Sequence, residues 1–64
     1  MKMTRKYMLE RPARKAGGDR YIEQAGTGET PMMETAYVNQ SVSRVDGTPK
    51  QMLWLTITDE PPRD

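Results

Sequence analysis

The chain has 64 residues and a formal net charge of +1, and it contains no cysteine, histidine or phenylalanine. Its length allows one small domain. The missing residue types exclude disulfide bonds and a structural zinc site, so we expect no metal and no cofactor. A chain this short buries little apolar surface, which leaves association between copies as a source of stability. We therefore expect a homo-oligomer, most simply a dimer that shares a sheet edge or an apolar face.

The sequence has no apolar run long enough to span a membrane, and its first residues lack the apolar stretch of a secretion signal. The absence of cysteine also fits a reducing compartment. We therefore expect a cytoplasmic protein that has no membrane partner.

Turn residues divide the chain into four segments of strand length, at about residues 3–10, 20–25, 32–45 and 50–58. The first segment fits a strand, although its Met, Lys, Leu and Glu residues also favour a helix. The second segment is a short strand. Residues 59–64 include two adjacent prolines and three acids, so they predict a flexible acidic tail after a single domain of residues 1–58.

The third and fourth segments alternate with the period of two that is typical of strands. If the third segment is a strand, Val38 and Val42 point to the same side of it. In the fourth segment, Leu53 lies on the side that carries the apolar residues. The Asp-Gly pair between the segments predicts a hairpin turn with a loop of two or four residues. Because Pro49 has no N–H for the ladder, we prefer the four-residue loop, which would place Val45 opposite Lys50. The sequence thus predicts an all-β fold. We expect a small four-stranded, mostly antiparallel sheet or open barrel with a C-terminal hairpin, and no segment clearly predicts a helix.

Charge is unevenly distributed along the chain. Residues 1–20 carry seven basic and two acidic side chains, whereas residues 21–64 carry three basic and seven acidic ones. The loop that contains Arg11, Arg14 and Lys15 also contains Gly17-Gly18, whose backbone N–H groups suit the close approach of an anion. This pattern predicts a phosphate-contacting loop. Equally, the basic part could neutralise the acidic part, within the fold or across a dimer.

Trp54 has the opposite parity to the apolar residues Leu53 and Leu55, so it should face away from the core. If the last two segments pair, Tyr37 lies on the same polar face and the two aromatic side chains resemble a platform on which bases stack. Two other interpretations remain open. Trp54 could be buried in a dimer interface, or the first two segments could fold over its face.

The composition argues against an enzyme. Histidine and cysteine, the commonest general base and the best nucleophile, are both absent, and the carboxylates show no paired spacing. We therefore expect a non-enzymatic module that binds nucleic acid, single-stranded or without sequence preference. The alternative is a protein-interaction module or small regulator that docks through the face of Met52 and Trp54 or through a sheet edge. The residues predicted to contact nucleic acid are Lys2, Arg5, Lys6, Arg14, Lys15, Arg20, Tyr37, Arg44, Lys50 and Trp54.

Overall fold

The computed structural model describes residues 1–61, and most of its regular structure is β-strand. In chain order the elements are β1 (Lys2–Arg11), β2 (Gly18–Glu23), β3 (Thr35–Asn39), α1 (Gln40–Ser43), β4 (Arg44–Val45), β5 (Thr48–Pro49) and β6 (Met52–Thr58). Four strands form one antiparallel sheet in the order β3-β2-β1-β6, which curls into a half-barrel, while β4 and β5 form a short hairpin. The predicted all-β fold with a C-terminal hairpin is confirmed.

Strand alternation gives this sheet two faces of different character. Tyr7 of β1 pairs with Glu23 of β2 on one side and with Leu53 of β6 on the other. Residues that lie opposite each other point to the same face, so these registers place the buried residues of the three strands on one face. We call this the inner face. The outer face carries Lys2, Thr4, Lys6, Met8 and Glu10 from β1, Arg20 and Ile22 from β2, Thr35 and Tyr37 from β3, and Met52, Trp54, Thr56 and Thr58 from β6.

The hydrophobic core lies on the inner face and is small. It consists of the buried Tyr7, Tyr21 and Ala36, against which five partly buried residues pack: Leu9, Met32, Val38, Leu53 and Leu55. The two tyrosines are fully buried, and each hydroxyl has a partner. Tyr7 donates to Glu23 at 2.7 Å and Tyr21 donates to the carbonyl of Lys50 at 2.6 Å. Because the connecting segments pack on this side, the inner face is covered and the outer face is not.

Two buried carboxylates attach those connecting segments to the sheet. Glu23 accepts hydrogen bonds from the backbone N–H groups of Met32 and Met33 at 2.6 and 2.7 Å, besides the one from Tyr7. Burial on its own raises the pKa of Glu23, but these hydrogen bonds outweigh it and lower the pKa to about 2. Burial and the hydrogen bond to Glu23 raise the pKa of Tyr7 to about 12. The pair therefore carries one negative charge at neutral pH.

Asp19 is the second buried carboxylate, and it accepts hydrogen bonds from Arg44, Ser43 and the backbone N–H of Ala13. The bonds from Arg44 and Ser43 hold the pKa of Asp19 well below its usual range despite its burial. Asp19 thus joins the β1–β2 loop, α1 and the β4–β5 hairpin at one point of the inner face.

The predicted third strand is interrupted. It ends at Asn39, whose side chain accepts a hydrogen bond from the backbone N–H of Ser41 at 2.9 Å and begins the single-turn helix α1. Asn and Ser compete with strand pairing by bonding to nearby backbone groups, and this is the local reason for the break. Val42 consequently does not share a strand face with Val38 and is 70% exposed.

The C-terminal hairpin is shorter than the sequence suggested. Asp46 and Gly47 have φ angles of 54° and 78°, as a two-residue hairpin turn requires, and Val45 pairs with Thr48 rather than with Lys50. The predicted four-residue loop is therefore wrong. The third and fourth segments do not pair either, because β3 and β6 are the opposite edges of the sheet.

Part of the predicted tail lies within the described residues. The backbone N–H of Asp59 donates to the carbonyl of Met1 at 3.2 Å, which extends the pairing of β1 and β6 by one step. The rest of that prediction, at residues 62–64, lies outside the described residues. In the described part of the chain, no helix is long and apolar enough to cross a membrane.

Candidate nucleic-acid interface

Two of the arginines predicted to contact nucleic acid are engaged inside the fold. Arg44 Nη2 lies 2.8 Å from Asp19 Oδ1, and this hydrogen bond raises the pKa of Arg44. Arg5 Nη1 lies 2.7 Å from Glu29 Oε2, and Arg5 Nε lies 3.5 Å from a carboxylate oxygen of Glu23. The basic and acidic parts of the chain thus do neutralise each other, but they do so on the inner face. The structure does not bring Arg5 and Arg44 to the outer face.

A β-bulge arranges the charges where β1 leaves the sheet. The register of β1 and β2 shifts between Leu9 and Arg11, so that Glu10 and Arg11 both oppose Arg20. Arg20 Nε lies 2.8 Å from Glu10 Oε1, so the two side chains form an ion pair. The charge of Arg20 is therefore partly neutralised by Glu10.

An open cleft of about 400 Å³ lies beside this bulge, between the β1–β2 loop and β3. Gly18 packs so closely against β3 that a Cβ atom there would lie 3.0 Å from the carbonyl carbon of Tyr37, which explains the glycine at this position. None of the cleft's lining residues is acidic. They are Arg11, Pro12, Ala13, Arg14, Ala16, Gly17, Gly18, Arg20 and Tyr37.

The two aromatic side chains of the outer face are exposed but far apart. Tyr37 is 66% exposed and lies beside Arg20, whereas Trp54 is 62% exposed and lies beside Lys6. Because they belong to opposite edge strands, three strand spacings and about four residues separate them, which amounts to roughly 20 Å. The expected adjacent aromatic pair is therefore wrong. The first two segments also do not fold over Trp54, since Tyr7, Leu9 and Tyr21 pack on the inner face.

Apolar residues lie between the two aromatic side chains, and hydroxyl groups lie beyond Trp54. Ile22, Met8 and Met52 are cross-strand neighbours and form an apolar row across β2, β1 and β6. Beyond Trp54, the hydroxyls of Thr4 and Thr56 share a hydrogen bond of 2.8 Å. Met8 and Ile22 were not among the predicted site residues. Met8 and Ile22 directly follow the buried Tyr7 and Tyr21, so strand alternation places them on the opposite face. This alternation is the signal that could have identified them.

Most of the remaining predicted residues lie on or beside the outer face. Lys2 and Lys6 occupy outer-face positions of β1, and Arg14 and Lys15 are exposed in the β1–β2 loop, where only Arg14 lines the cleft. Lys50 is exposed between β5 and β6. In the part of the chain that the structure describes, no three carboxylates come together as a metal site.

Comparisons with protein-family models, with curated proteins and with solved structures find no match to this chain. The geometry of the outer face and its cleft is therefore the basis for assigning a function.

Proposed function

We propose that this chain is a small non-enzymatic module that binds single-stranded nucleic acid on the outer face of its sheet. One observation carries the proposal: within residues 1–61, six basic side chains and both exposed large aromatic residues lie on or beside that face. The acids there are fewer: Glu10, which is paired with Arg20, and Glu34, which lies beside Ile22 and Thr35. The basic residues are Lys2, Lys6, Arg11, Arg14, Lys15 and Arg20.

The inner face supports the proposal because it holds three of the chain's nine acidic residues away from the binding side. Asp19 and Glu23 are buried there, and Glu29 is paired with Arg5. A chain with a net charge of only +1 thereby presents a basic surface to an anionic ligand. The attraction between such a surface and phosphates is sequence-independent and depends strongly on salt.

The two ends of the outer face have different roles in this proposal. Trp54 stacks on a base, since it is exposed and uncharged neighbours surround it apart from Lys6. At the other end, Arg11, Arg14 and Arg20 contact phosphate in the cleft, and Tyr37 stacks on a second base at its wall. The separation of roughly 20 Å between Trp54 and Tyr37 requires a strand of several nucleotides rather than a mononucleotide.

A salt series on one labelled strand tests this proposal. The probe is a fluorescein-labelled oligothymidine of about 15 nucleotides, and the readout is its anisotropy at about 50 and 200 mM salt. If about four phosphates are neutralised, the affinity should fall roughly 50-fold over this range. A duplex of the same length should bind more weakly, because its bases are not free to stack. No binding at about 100 µM protein, or binding unaffected by salt, would reject the proposal.

A protein partner on the same face is the second candidate, and the apolar row of Ile22, Met8 and Met52 is the observation that favours it. Methionine and tryptophan are enriched at protein interfaces. This candidate predicts that the labelled strand does not bind.

A further inference from the structure

β6 is an edge strand, and one side of its backbone is unpaired. The backbone N–H of Leu9 donates to the carbonyl of Gln51 and that of Asp59 donates to the carbonyl of Met1, which fixes the phase of the ladder between β1 and β6. By the alternation of an antiparallel ladder, the odd-numbered residues of β6 exchange hydrogen bonds with β1. The N–H and C=O groups of the even-numbered residues therefore point away from the sheet. No other strand of residues 1–61 pairs with them.

This edge has none of the features that usually prevent strands from pairing. From Met52 to Thr58 the strand has no charged residue and no proline, and four of its seven residues are β-branched or aromatic. Its ladder with β1 runs without a register shift, so no bulge twists the edge away. Natural proteins protect exposed edges with lysine, proline, bulges or short strands, and an edge without them is a template for another strand.

The charges at the two ends of β6 identify a second copy of this chain as the occupant. Lys50 precedes the strand and Glu60 follows it, while the intervening Asp59 is paired with the N-terminal ammonium group of Met1. If two copies of β6 pair antiparallel about Leu55, Lys50 of each copy lies opposite Glu60 of the other, and the two-fold axis makes this contact twice. A parallel arrangement would instead place like charges together. Pairing about Leu55 also fits the backbone. Each even-numbered residue of β6, whose N–H and C=O groups point away from its own sheet, then lies opposite an even-numbered residue of the other copy.

We infer that β6 pairs antiparallel with β6 of a second copy, centred on Leu55, to form a symmetric dimer with one eight-stranded sheet. Trp54 then lies opposite Thr56 of the second copy, and the two Trp54 side chains are diagonal neighbours about 7–8 Å apart on the joined outer face. The inference rests on the backbone of β6 and does not require the proposed function. If both hold, the dimer presents one continuous binding face with two clefts.

Sedimentation analysis of the full chain tests the dimer. The wild type at about 50 µM should have twice the chain mass of 7.3 kDa. Thr56→Pro removes an N–H that β1 does not use, so the sheet should form while the dimer dissociates. A monomeric wild type would overturn the inference, and so would a Thr56→Pro variant that is still a dimer.

A charge swap tests the antiparallel register. Lys50→Glu should weaken the dimer roughly tenfold, because it replaces two attractive contacts by two repulsive ones. Adding Glu60→Lys to that variant should restore the wild-type affinity. A double variant as weak as the single one would contradict this register.

Cysteine cross-linking provides a test that does not depend on the folding of the proline variant, since the chain has no cysteine of its own. Two Leu55→Cys residues would be a non-hydrogen-bonded pair with Cα atoms about 4.5 Å apart, within the range of a disulfide bond. Mild oxidation should therefore give a covalent dimer. Thr58→Cys is the matched control, because its two copies would lie roughly 20 Å apart. Equal cross-linking of both variants, or none of Leu55→Cys, would refute the paired edge.

Discussion

Arg44 and Asp19 are joined by two hydrogen bonds, from Nε to Oδ2 at 3.0 Å and from Nη2 to Oδ1 at 2.8 Å. The same two side chains fix the β1–β2 loop at Ala13. Asp19 accepts a hydrogen bond of 2.8 Å from the N–H of Ala13, and Arg44 donates a hydrogen bond of 3.0 Å to the carbonyl of Ala13. Ala13 lines the basic cleft. A buried ion pair of the inner face thus positions a candidate phosphate site on the outer side.

Asp19→Asn should destabilise the fold strongly. Asparagine leaves the Arg44 charge without its counter-charge in a site that is largely shielded from water. We expect the melting temperature to fall by roughly 10–20 °C, measured by circular dichroism. Asp46→Asn makes the same chemical change at an exposed turn position, and asparagine accepts the positive φ there, so its melting temperature should change little. Equal effects of the two substitutions would contradict the role of Asp19.

Acid should unfold the protein between about pH 4 and pH 2. The pKa values of Asp19 and Glu23 are lowered in the folded state, the former by hydrogen bonds from Arg44 and Ser43, the latter by backbone and Tyr7 hydrogen bonds that outweigh burial. Their contributions are fully present above the unfolded values near 4 and are lost as the pH falls through the folded values. Melting temperatures measured from pH 7 to pH 2 should follow this curve. A melting temperature that is constant down to pH 2 would contradict it.

Alkaline pH should destabilise the fold through Tyr7. Burial and the negatively charged Glu23 raise the pKa of Tyr7 to about 12, above its unfolded value near 10. The neutral hydroxyl therefore stabilises the fold below about pH 10, and this contribution is lost as the pH rises toward 12. Tyr7→Phe should reduce the alkaline dependence without abolishing it, because burial also raises the pKa of Tyr21. The variant should itself be less stable, because Glu23 loses a donor. Absorbance at the tyrosinate wavelength provides the measurement, and titration of all three tyrosines near pH 10 would oppose this prediction.

Arg14→Ala should weaken binding of the labelled strand about three- to tenfold and lower its salt slope by about 0.7, as expected for one lost phosphate contact. Lys15→Ala is the matched control, since it removes the same charge from the neighbouring residue that does not line the cleft. Because Lys15 still belongs to the basic surface, we expect this variant to lose some affinity but clearly less than Arg14→Ala. If the two variants lose affinity equally, the cleft has no specific role.

Trp54→Ala should reduce the affinity for single strands by roughly 5- to 100-fold, which corresponds to the loss of one stacked base. Tyr37→Ala should have a similar effect at the cleft. Because the two side chains are roughly 20 Å apart, their free-energy losses should add in the double variant. Val42→Ala removes a comparably exposed apolar side chain from α1 and should leave the affinity unchanged. Strong non-additivity would indicate that the two aromatic residues do not act as separate contacts.

The local pattern of the sequence predicted the strands and their faces but not their partners. The alternation around Leu53 and Leu55 correctly placed Trp54 on the opposite face, and Asp46-Gly47 correctly marked a hairpin turn. Pairing of the third and fourth segments was the simplest topology, yet β6 pairs with β1 instead. A period-two pattern contains no information on which strand lies alongside, because that choice depends on contacts between residues about 50 positions apart.

The sequence also could not show which basic residues of the candidate site are exposed and which are paired inside the fold. Net charge along the chain identified a basic segment, but it could not separate Arg5, which is engaged with Glu29, from Lys6, which is exposed on the outer face. The partner of Arg44 is Asp19, a residue 25 positions away. Parity gives the face of a strand residue, whereas ion pairing depends on the folded arrangement of loops. Only the structure therefore divides the basic residues into structural and available ones.

The most direct test of the central claim is a two-dimensional ¹⁵N–¹H NMR titration of the protein with unlabelled oligothymidine. The single tryptophan gives one indole N–H signal, so Trp54 reports on its own face without ambiguity. We predict that this signal shifts together with the amides of Lys6, Gly18 and Arg20. The amides of Gly26 and Gly28, in the loop on the opposite side, should remain in place. Shifts confined to that loop, or no shifts at a severalfold excess of oligonucleotide, would contradict nucleic-acid binding by the outer face.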